Sequence, residues 1–324
     1  MNSIIEYLQD NNISFEQNVD LRKKTWIHRG GKCDLFILPE SAEQLELLVQ
    51  HLYVVDISFL LAGHTSNLYI HNDANIPVVV STHRCNNCEF REEEIYCEGG
   101  VGVIKLAKEC VQKGISGFEY LTGLPGTVAG ALYNNSSCKK NSISELLIDL
   151  RFVRKDGEVI TLTPEDLEYK FRTSILKEKR LEGTIVSCRL KLKRDNAETL
   201  QKIADENSEE RKQILEGPSQ NLGCTVNRCF INGPMPKRYA IPLTIYGKIL
   251  SFFNLSIDRN KELKKKFILR LSGYSQLIPY ISNRQMIIFV WKDEGADVVY
   301  PKYLEFMKKV YKTDKVEIEE IANG

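Results

Sequence analysis

Two stretches of the chain combine glycines with small hydroxyl side chains. One is Leu61-Ala62-Gly63-His64-Thr65-Ser66-Asn67-Leu68. The other runs from Gly114 to Ala131 and holds Gly117, Gly123, Leu124, Pro125, Gly126, Thr127 and Gly130. Glycine admits positive φ and lets a ligand approach the main chain closely. Successive N–H groups in such turns converge on an anion such as a pyrophosphate. Neither stretch fits the G-x-G-x-x-G dinucleotide fingerprint, and neither carries the Lys of a P-loop. One stretch alone reads equally well as a tight turn. Two of them, one with an uncharged Gly-Leu-Pro-Gly-Thr run, favour a phosphate-bearing cofactor.

A second candidate is His83, Cys85, Cys88 and Cys97. A structural zinc site asks for a second close ligand pair, and Cys97 stands alone in a strand-like run. A surface turn between strands is therefore the better reading, and no metal is expected. The nine cysteines are odd in number and scattered, in a chain whose N-terminus has no basic-then-apolar leader. This suggests reduced thiols and a cytoplasmic location.

Periodicity places these residues on elements. Ser3-x-x-Glu6 reads as a capping box opening a short helix. Asp34–Leu38 reads as a strand, followed by a helix capped by Ser41 with Leu45, Leu48, Val49 and Leu52 on one face. Strands are expected at Val54–Leu61, Pro77–Val80 and Glu94–Glu98. A helix from Val103 should stop at Gly114. Lys155-Asp156-Gly157 signals a hairpin between Ile148–Val153 and Glu158–Leu162. Thr184–Lys193 is another strand, and the polar Asp195–Glu216 a helical connector. Beyond it a strand is expected at Ala240–Tyr246, then a basic helix Asn260–Leu271. That helix carries Lys264-Lys265-Lys266 as a solvated face. A strand Met286–Trp291 and a last helix Pro301–Tyr311 follow.

The chain has 324 residues, 44 Lys and Arg against 43 Asp and Glu, and 43% hydrophobic residues. At ~150 residues per domain this suggests about two domains. The balance argues against disorder, and the near-zero net charge against nucleic acid as a partner. No run reaches the ~18 apolar residues of a membrane span, so no membrane partner is expected.

The Gly-rich stretches resemble those of the UDP-N-acetylenolpyruvoylglucosamine reductase (MurB-type) family. Thr25-Trp-Ile-His-Arg29-Gly30-Gly31-Lys-Cys33-Asp34 looks like the family's Thr followed by Arg/Ile-Gly-Gly and Ala-Asp. Gly63-His64-Thr65-Ser66-Asn67 looks like its Gly-x-Gly-Ser-Asn. Gly117 to Ala131 looks like its Gly-x-Glu-x-x-x-Gly-Ile-Pro-Gly-Thr-x-Gly-Gly-Ala, with Asn135 and Ile143-Ser144 in register. Phe171-Arg172-Thr173-Ser174 looks like its Tyr-Arg-x-Ser. The match runs from about residue 20 to about residue 190, and its motifs agree in order.

The resemblance implies an α+β protein with a two-part FAD cradle of the vanillyl-alcohol-oxidase (PCMH-like) type. A smaller α+β substrate domain would follow. The expected division is 1–194 with a break near 80–90, a connector 195–216, and 217–324 with a tail returning to the flavin. Non-covalent FAD is implied, with NADPH as reductant and a nucleotide sugar as substrate. The cofactor residues would be Arg29, Gly30, Gly31, Gly63, His64, Thr65, Ser66, Asn67, Gly123, Pro125, Gly126, Thr127, Gly130, Ala131 and Asn135. Gly63-His64-Thr65 superficially resembles the segment through which related oxidases tether FAD covalently, which is the minor reading of His64.

The later part matches less well. Asn221-Leu222-Gly223-Cys224-Thr225-Val226-Asn227 looks like the family's Ser-x-Gly-Ser/Cys-x-Phe-Lys loop. Val316-Glu317-Ile318-Glu319-Glu320 looks like its C-terminal Leu-Glu-Pro-Glu-Val. Cys224 would then be the proton donor and Glu319 the catalytic Glu. Asn227 takes the place of a substrate-phosphate Lys, with Arg228 beside it, and Phe171 replaces a Tyr. Residues 230–285 show no family pattern, and no His follows His83.

The implied chemistry is reduction of an enol ether. Hydride addition next to a carboxylate builds enolate charge, which Arg172, always cationic, would stabilise. An ordinary thiol, with a pKa near ~8.5, is protonated at neutral pH and could supply the proton. Each residue also has a plain structural reading: Cys224 as a small buried residue, Arg172 as a surface ion-pair partner, Glu319 as part of an acidic tail. Two further readings stay open. One is a related flavin oxidoreductase acting on another sugar. The other is a non-catalytic flavin-binding protein.

Overall fold

A computed structural model describes residues 2–215, 220–226, 234–253 and 255–322. Helix α1 (Asn2–Asp10) leads into β1 (Ser14–Asp20) and β2 (Lys32–Leu38). Helix α2 (Ala42–Val54), β3 (Leu60–Ala62), β4 (Leu68–Ile70) and β5 (Asn75–Ser81) follow. The first sheet has the order β1-β2-β5-β3, with β1 antiparallel to β2 and the other pairs parallel. Ser41 caps α2, its side chain accepting from the Gln44 amide, and Leu45, Leu48, Val49 and Leu52 turn inward onto Leu35, Ile37, Val78 and Val80.

The second sheet is antiparallel throughout. Its strands come from β6 (Cys88–Phe90), β7 (Glu94–Glu98), β10 (Leu147–Arg154), β11 (Val159–Leu162) and β12 (Gly183–Lys191), in the order β11-β10-β12-β7-β6. The small ribbon β8 (Ser137–Cys138) and β9 (Asn141–Ser142) precedes β10. Helices α3 (Val103–Gln112) and α4 (Val128–Tyr133) contribute to the core on this sheet, through Leu106, Ala107, Cys110, Val128 and Leu132 among others. Val153 and Val186 of the second sheet reach into the α2 core, so the two sheets share packing. The β10–β11 hairpin turns where the sequence expects it, with Gly157 at φ +87°. Gly114, at φ +66°, ends α3.

Helix α5 (Ala197–Ile214) lies on α3 through Val111, Leu200 and Ala204. Thus the polar connector is anchored to the first part of the chain along its length. The remainder holds α6 (Lys237–Ser251), α7 (Ile257–Leu271), α8 (Gly295–Phe306) and β13 (Glu319–Ile321). Its core is aromatic, built from Phe289, Trp291, Tyr300, Tyr303 and Phe306, and it takes in Ile27 and Tyr69 from the first part. No helix among the described residues is long and apolar enough to cross a membrane.

Several expectations are corrected. Ala240–Tyr246 is helical inside α6, although its β-branched residues and Pro242 favour a strand or a break. Tyr239, Leu243, Tyr246 and Leu250 recur at helical spacing, and three of them pack on the aromatic core or on α7. Tertiary burial overrides local preference there. Val54 belongs to α2, and the following strand is only Leu60–Ala62. Met286–Trp291 makes isolated bridges from Phe289 to Ile281 and from Val290 to Asn221, not a strand. The last helix begins at Gly295 and passes through Pro301 before a wider turn at Met307–Tyr311. Ser3 lies within α1 and does not precede it. Lys265 is buried, its ammonium donating to the Ile278 and Ile281 carbonyls and Asn283 Oδ1. It therefore serves no solvated face.

Candidate active site

The two Gly-rich stretches meet. A Cβ on Gly63 would stand 2.8 Å from Thr127 Oγ1, and one on Gly126 (φ +123°) 3.1 Å from Ser66 Oγ. His64 hydrogen-bonds the Gly126 backbone and sits beside His83, their rings 5.5 Å apart. Burial first, and then His83, hold the His64 imidazole below its usual basicity. Thr65, at φ +53°, accepts from the Trp26 amide at 2.8 Å. Thr127 caps α4, accepting from the Gly130 amide. Packing side by side leaves the two loops with their amides and small side chains in one place.

Buried polar atoms without partners lie nearby. Asn135, at φ +44°, donates to the Lys170 carbonyl at 2.7 Å, yet its Oδ1 and that of Asn134 have no hydrogen-bond partner. A buried unpaired acceptor costs about 1–3 kcal/mol, so each calls for a physical explanation, of which a bound group is one. With the paired glycine loops, these acceptors fit a flavin nucleotide.

Arg29 and Gly31 meet other parts of the chain. A Cβ on Gly31 would lie 1.7 Å from the Ala74 carbonyl oxygen. That glycine is demanded by the close passage of two chain segments. The Arg29 side chain faces Asp297 of α8 at 3.9 Å. Asp297 also accepts from Tyr69 Oη and Asn72 Nδ2. Burial raises the Asp297 carboxyl above its usual range despite these donors. Arg29 and Asp297 thus join the first sheet's loop to the C-terminal helices.

The catalytic candidates are joined by one short segment. Arg172 has φ +58°, a strained backbone for a non-glycine residue. Its guanidinium donates to the Ser137 carbonyl at 3.0 Å and stands 3.5 Å from Glu317. The Glu317 amide donates to the Thr225 carbonyl, next to Cys224. Thr225 is fully buried and its hydroxyl accepts from the Phe289 amide. The Glu319 amide donates to the Asn67 carbonyl, and β13 runs parallel to β4. Residues 317–319 therefore touch the Gly63–Asn67 loop, the Arg172 turn and the Cys224 loop together.

Glu319 is solvent-exposed at the start of β13. Partial desolvation by its neighbours raises its carboxyl above the usual value, opposed by Lys177 and by hydrogen bonds from Asn134 and Asn67. Lys177 is itself held below ordinary lysine basicity by burial, against the pull of Glu317 and Glu319. Phe171 is half exposed beside Arg172. Asn227 and Arg228 lie outside the described residues.

The sequence gives no sign of two cations near the site, Lys177 and Arg211. Lys177 sits in a Lys/Glu-rich run with no local sign of its neighbours. Arg211 of α5 lies over the glycine turn, 2.9 Å from where a Gly123 Cβ would be. Only a tertiary contact of the connector reveals it. At Cys85, burial pushes the thiol up to about 12, and its Sγ faces the Pro39 and Ser41 carbonyls. Cys88 and Cys97 face each other across β6 and β7 at 3.6 Å.

The paired glycine loops and the two-sheet cradle, together with the family matches that follow, identify an FAD-dependent oxidoreductase. An "FAD binding domain" family model matches residues 33–163. The UDP-N-acetylenolpyruvoylglucosamine reductase of Bacillus pumilus (strain SAFR-032) is 30% identical over 79% of this chain and 82% of its own. That of Bacillus subtilis (strain 168) is 28% identical over 85% of this chain and 89% of its own. The chain belongs to the UDP-N-acetylenolpyruvoylglucosamine reductase family. The crystal structure of the Thermus caldophilus reductase superposes with a TM-score of 0.69 at 18% identity, covering 96% of this chain and 100% of that one. The α+β two-part flavin fold expected from sequence is therefore borne out.

Proposed function

We propose that this chain reduces an enolpyruvyl nucleotide sugar of the UDP-N-acetylglucosamine type in the cytoplasm, as a step of peptidoglycan precursor synthesis, with NADPH as hydride source. Three functional units follow from this reading: the flavin cradle of 1–194, the connector 195–216 and the substrate domain 217–324. The observation that carries the reading is the 317–319 segment. It contacts the flavin loop, the Arg172 turn and the Cys224 loop at once.

Gly63, Ser66, Asn67, Gly126, Thr127 and Asn135 would hold FAD, with His64 and Arg211 on the phosphate side. When bound, FAD would supply the hydride-transfer chemistry that links the nicotinamide to the substrate alkene. Arg172 holds the substrate carboxylate and stabilises negative charge as it grows there. Its strained turn, tied by Ser137, fixes the guanidinium before substrate arrives. Cys224 donates its thiol proton to the neighbouring carbon. Glu319, its proton favoured by partial desolvation, polarises the enolate or returns a proton toward Cys224. Lys177 offsets the carboxylates of Glu317 and Glu319 and sets how readily Glu319 ionises.

The test is anaerobic. Mixed with NADPH, the yellow protein should bleach. Adding UDP-N-acetylglucosamine enolpyruvate should restore the colour. Bleaching without recovery would reject the substrate, and no bleaching would reject the reductase.

A further inference from the structure

Helix α6 has apolar residues on two opposite faces. Tyr239, Leu243, Tyr246 and Leu250 face inward, Tyr246 stacking on Phe267 of α7 at 4.2 Å. Ile241, Ile245 and Ile249 run along the other face, each about half exposed. The stripe continues into Phe252 (86% exposed) and Phe253 (63%), and Ile257 at the start of α7 is 75% exposed. A helix that has already buried one apolar face gains nothing from a second in water. Contiguous exposed apolar surface of this kind marks an interaction site.

The charge around it is mostly positive. Residues 234–271 carry nine Lys and Arg against two Asp and Glu, a formal +7 in a chain whose total is +1. Lys237, Arg238 and Lys248 lie on or beside the stripe. No carboxylate of the described residues pairs with Lys237 or Lys248. Glu262 is taken by Arg259 and Lys266 within α7. Lys264 lies against α6 at Gly247, where a Cβ would come 3.1 Å from its Cε. Lys237, Arg238 and Lys248 thus flank the apolar stripe, with Asp258 beside Ile257, while Lys265 is turned inward onto carbonyls. This is also the part of the chain in which the family motifs are lost.

We infer that the α6–α7 hairpin docks the enzyme on an anionic phospholipid surface. Phe252, Phe253 and Ile257 would enter the headgroup–acyl boundary, while Lys237, Arg238 and Lys248 meet lipid phosphates. Side chains this exposed stand proud of the protein, which suits insertion into a soft interface. A second copy is a poor occupant. A two-fold interface would set the same cations against each other, whereas acidic headgroups attract a basic apolar helix face. This concerns attachment only, and it stands apart from the reductase reading.

The experiment is sedimentation of the FAD-loaded full chain with vesicles. It should pellet with phosphatidylglycerol–phosphatidylcholine vesicles and not with phosphatidylcholine alone. High salt should release it. A Phe252→Ser/Phe253→Ser/Ile257→Ser variant keeps every catalytic residue and should bleach with NADPH as the parent does. Its bound-to-free ratio should fall at least about tenfold, the loss expected from even one large apolar anchor. Equal binding by variant and parent would overturn the inference, as would no pelleting with anionic vesicles. Concentration-dependent dimers of the parent that the variant abolishes, without vesicle binding, would assign the stripe to self-association and overturn it as well.

Discussion

The Glu317 amide donates to the Thr225 carbonyl at 2.8 Å, while the Glu317 carboxylate stands 3.5 Å from the Arg172 guanidinium. One residue of the tail thereby ties the neighbour of the proposed proton donor to the proposed enolate-stabilising arginine. Two residues on, Glu319 closes onto Asn67 of the flavin loop.

Glu319→Gln should slow reoxidation of the reduced enzyme by substrate roughly a hundredfold, the usual scale of a lost proton-transfer group. Bleaching by NADPH should be unchanged. Stopped-flow absorbance separates the two half-reactions.

The pH dependence has a definite sign. Partial desolvation raises the Glu319 carboxyl above the ordinary 4.5. The folded chain then binds more protons there than the unfolded one, so this site's contribution to stability falls as pH rises through that window. Lys177→Met removes the cation that opposes the shift. The Glu319 limb of the pH–rate profile should therefore move further toward neutrality in that variant and vanish in Glu319→Gln.

Gly63→Ala places a methyl 2.8 Å from Thr127 Oγ1. The two loops must part, and bound flavin should fall by at least about tenfold, since such a displacement spoils several backbone contacts at once. Absorbance of the purified protein measures it. The strain is confined to the two loops, so the fold itself should survive.

Thr225→Val leaves the Phe289 amide without its acceptor in a fully buried position. This should cost about 1–3 kcal/mol in denaturant unfolding. A smaller loss would mean that a water replaces the hydroxyl.

Short-range features were legible in the sequence. The Ser41 cap, the Lys155–Gly157 turn and the Gly114 stop are each set by a few adjacent residues. The glycine stretches pointed to two closely approaching loops, and the ordered family motifs singled out Arg172, Cys224 and Glu319, whose segments the 317–319 stretch connects. What failed depended on distant partners. The Ala240–Tyr246 run contains Pro242 and three β-branched residues, and only packing of Tyr239, Leu243 and Tyr246 shows it to be helical. Lys265 looked like one of three solvated lysines, but carbonyls of a later loop bury it. Arg211 and Lys177 acquire their meaning from segments far along the chain. Arg29 and Gly31 carry the family pattern, yet here one meets Asp297 and the other is pressed on Ala74.

The central claim is that the tail assembles Cys224 with Arg172 and Glu319 over the flavin. Cys224→Ala tests it most directly, in anaerobic half-reactions. Flavin reduction by NADPH should match the parent, and reoxidation by UDP-N-acetylglucosamine enolpyruvate should slow by about a hundredfold or more. Equal reoxidation rates in the variant and the parent would contradict it.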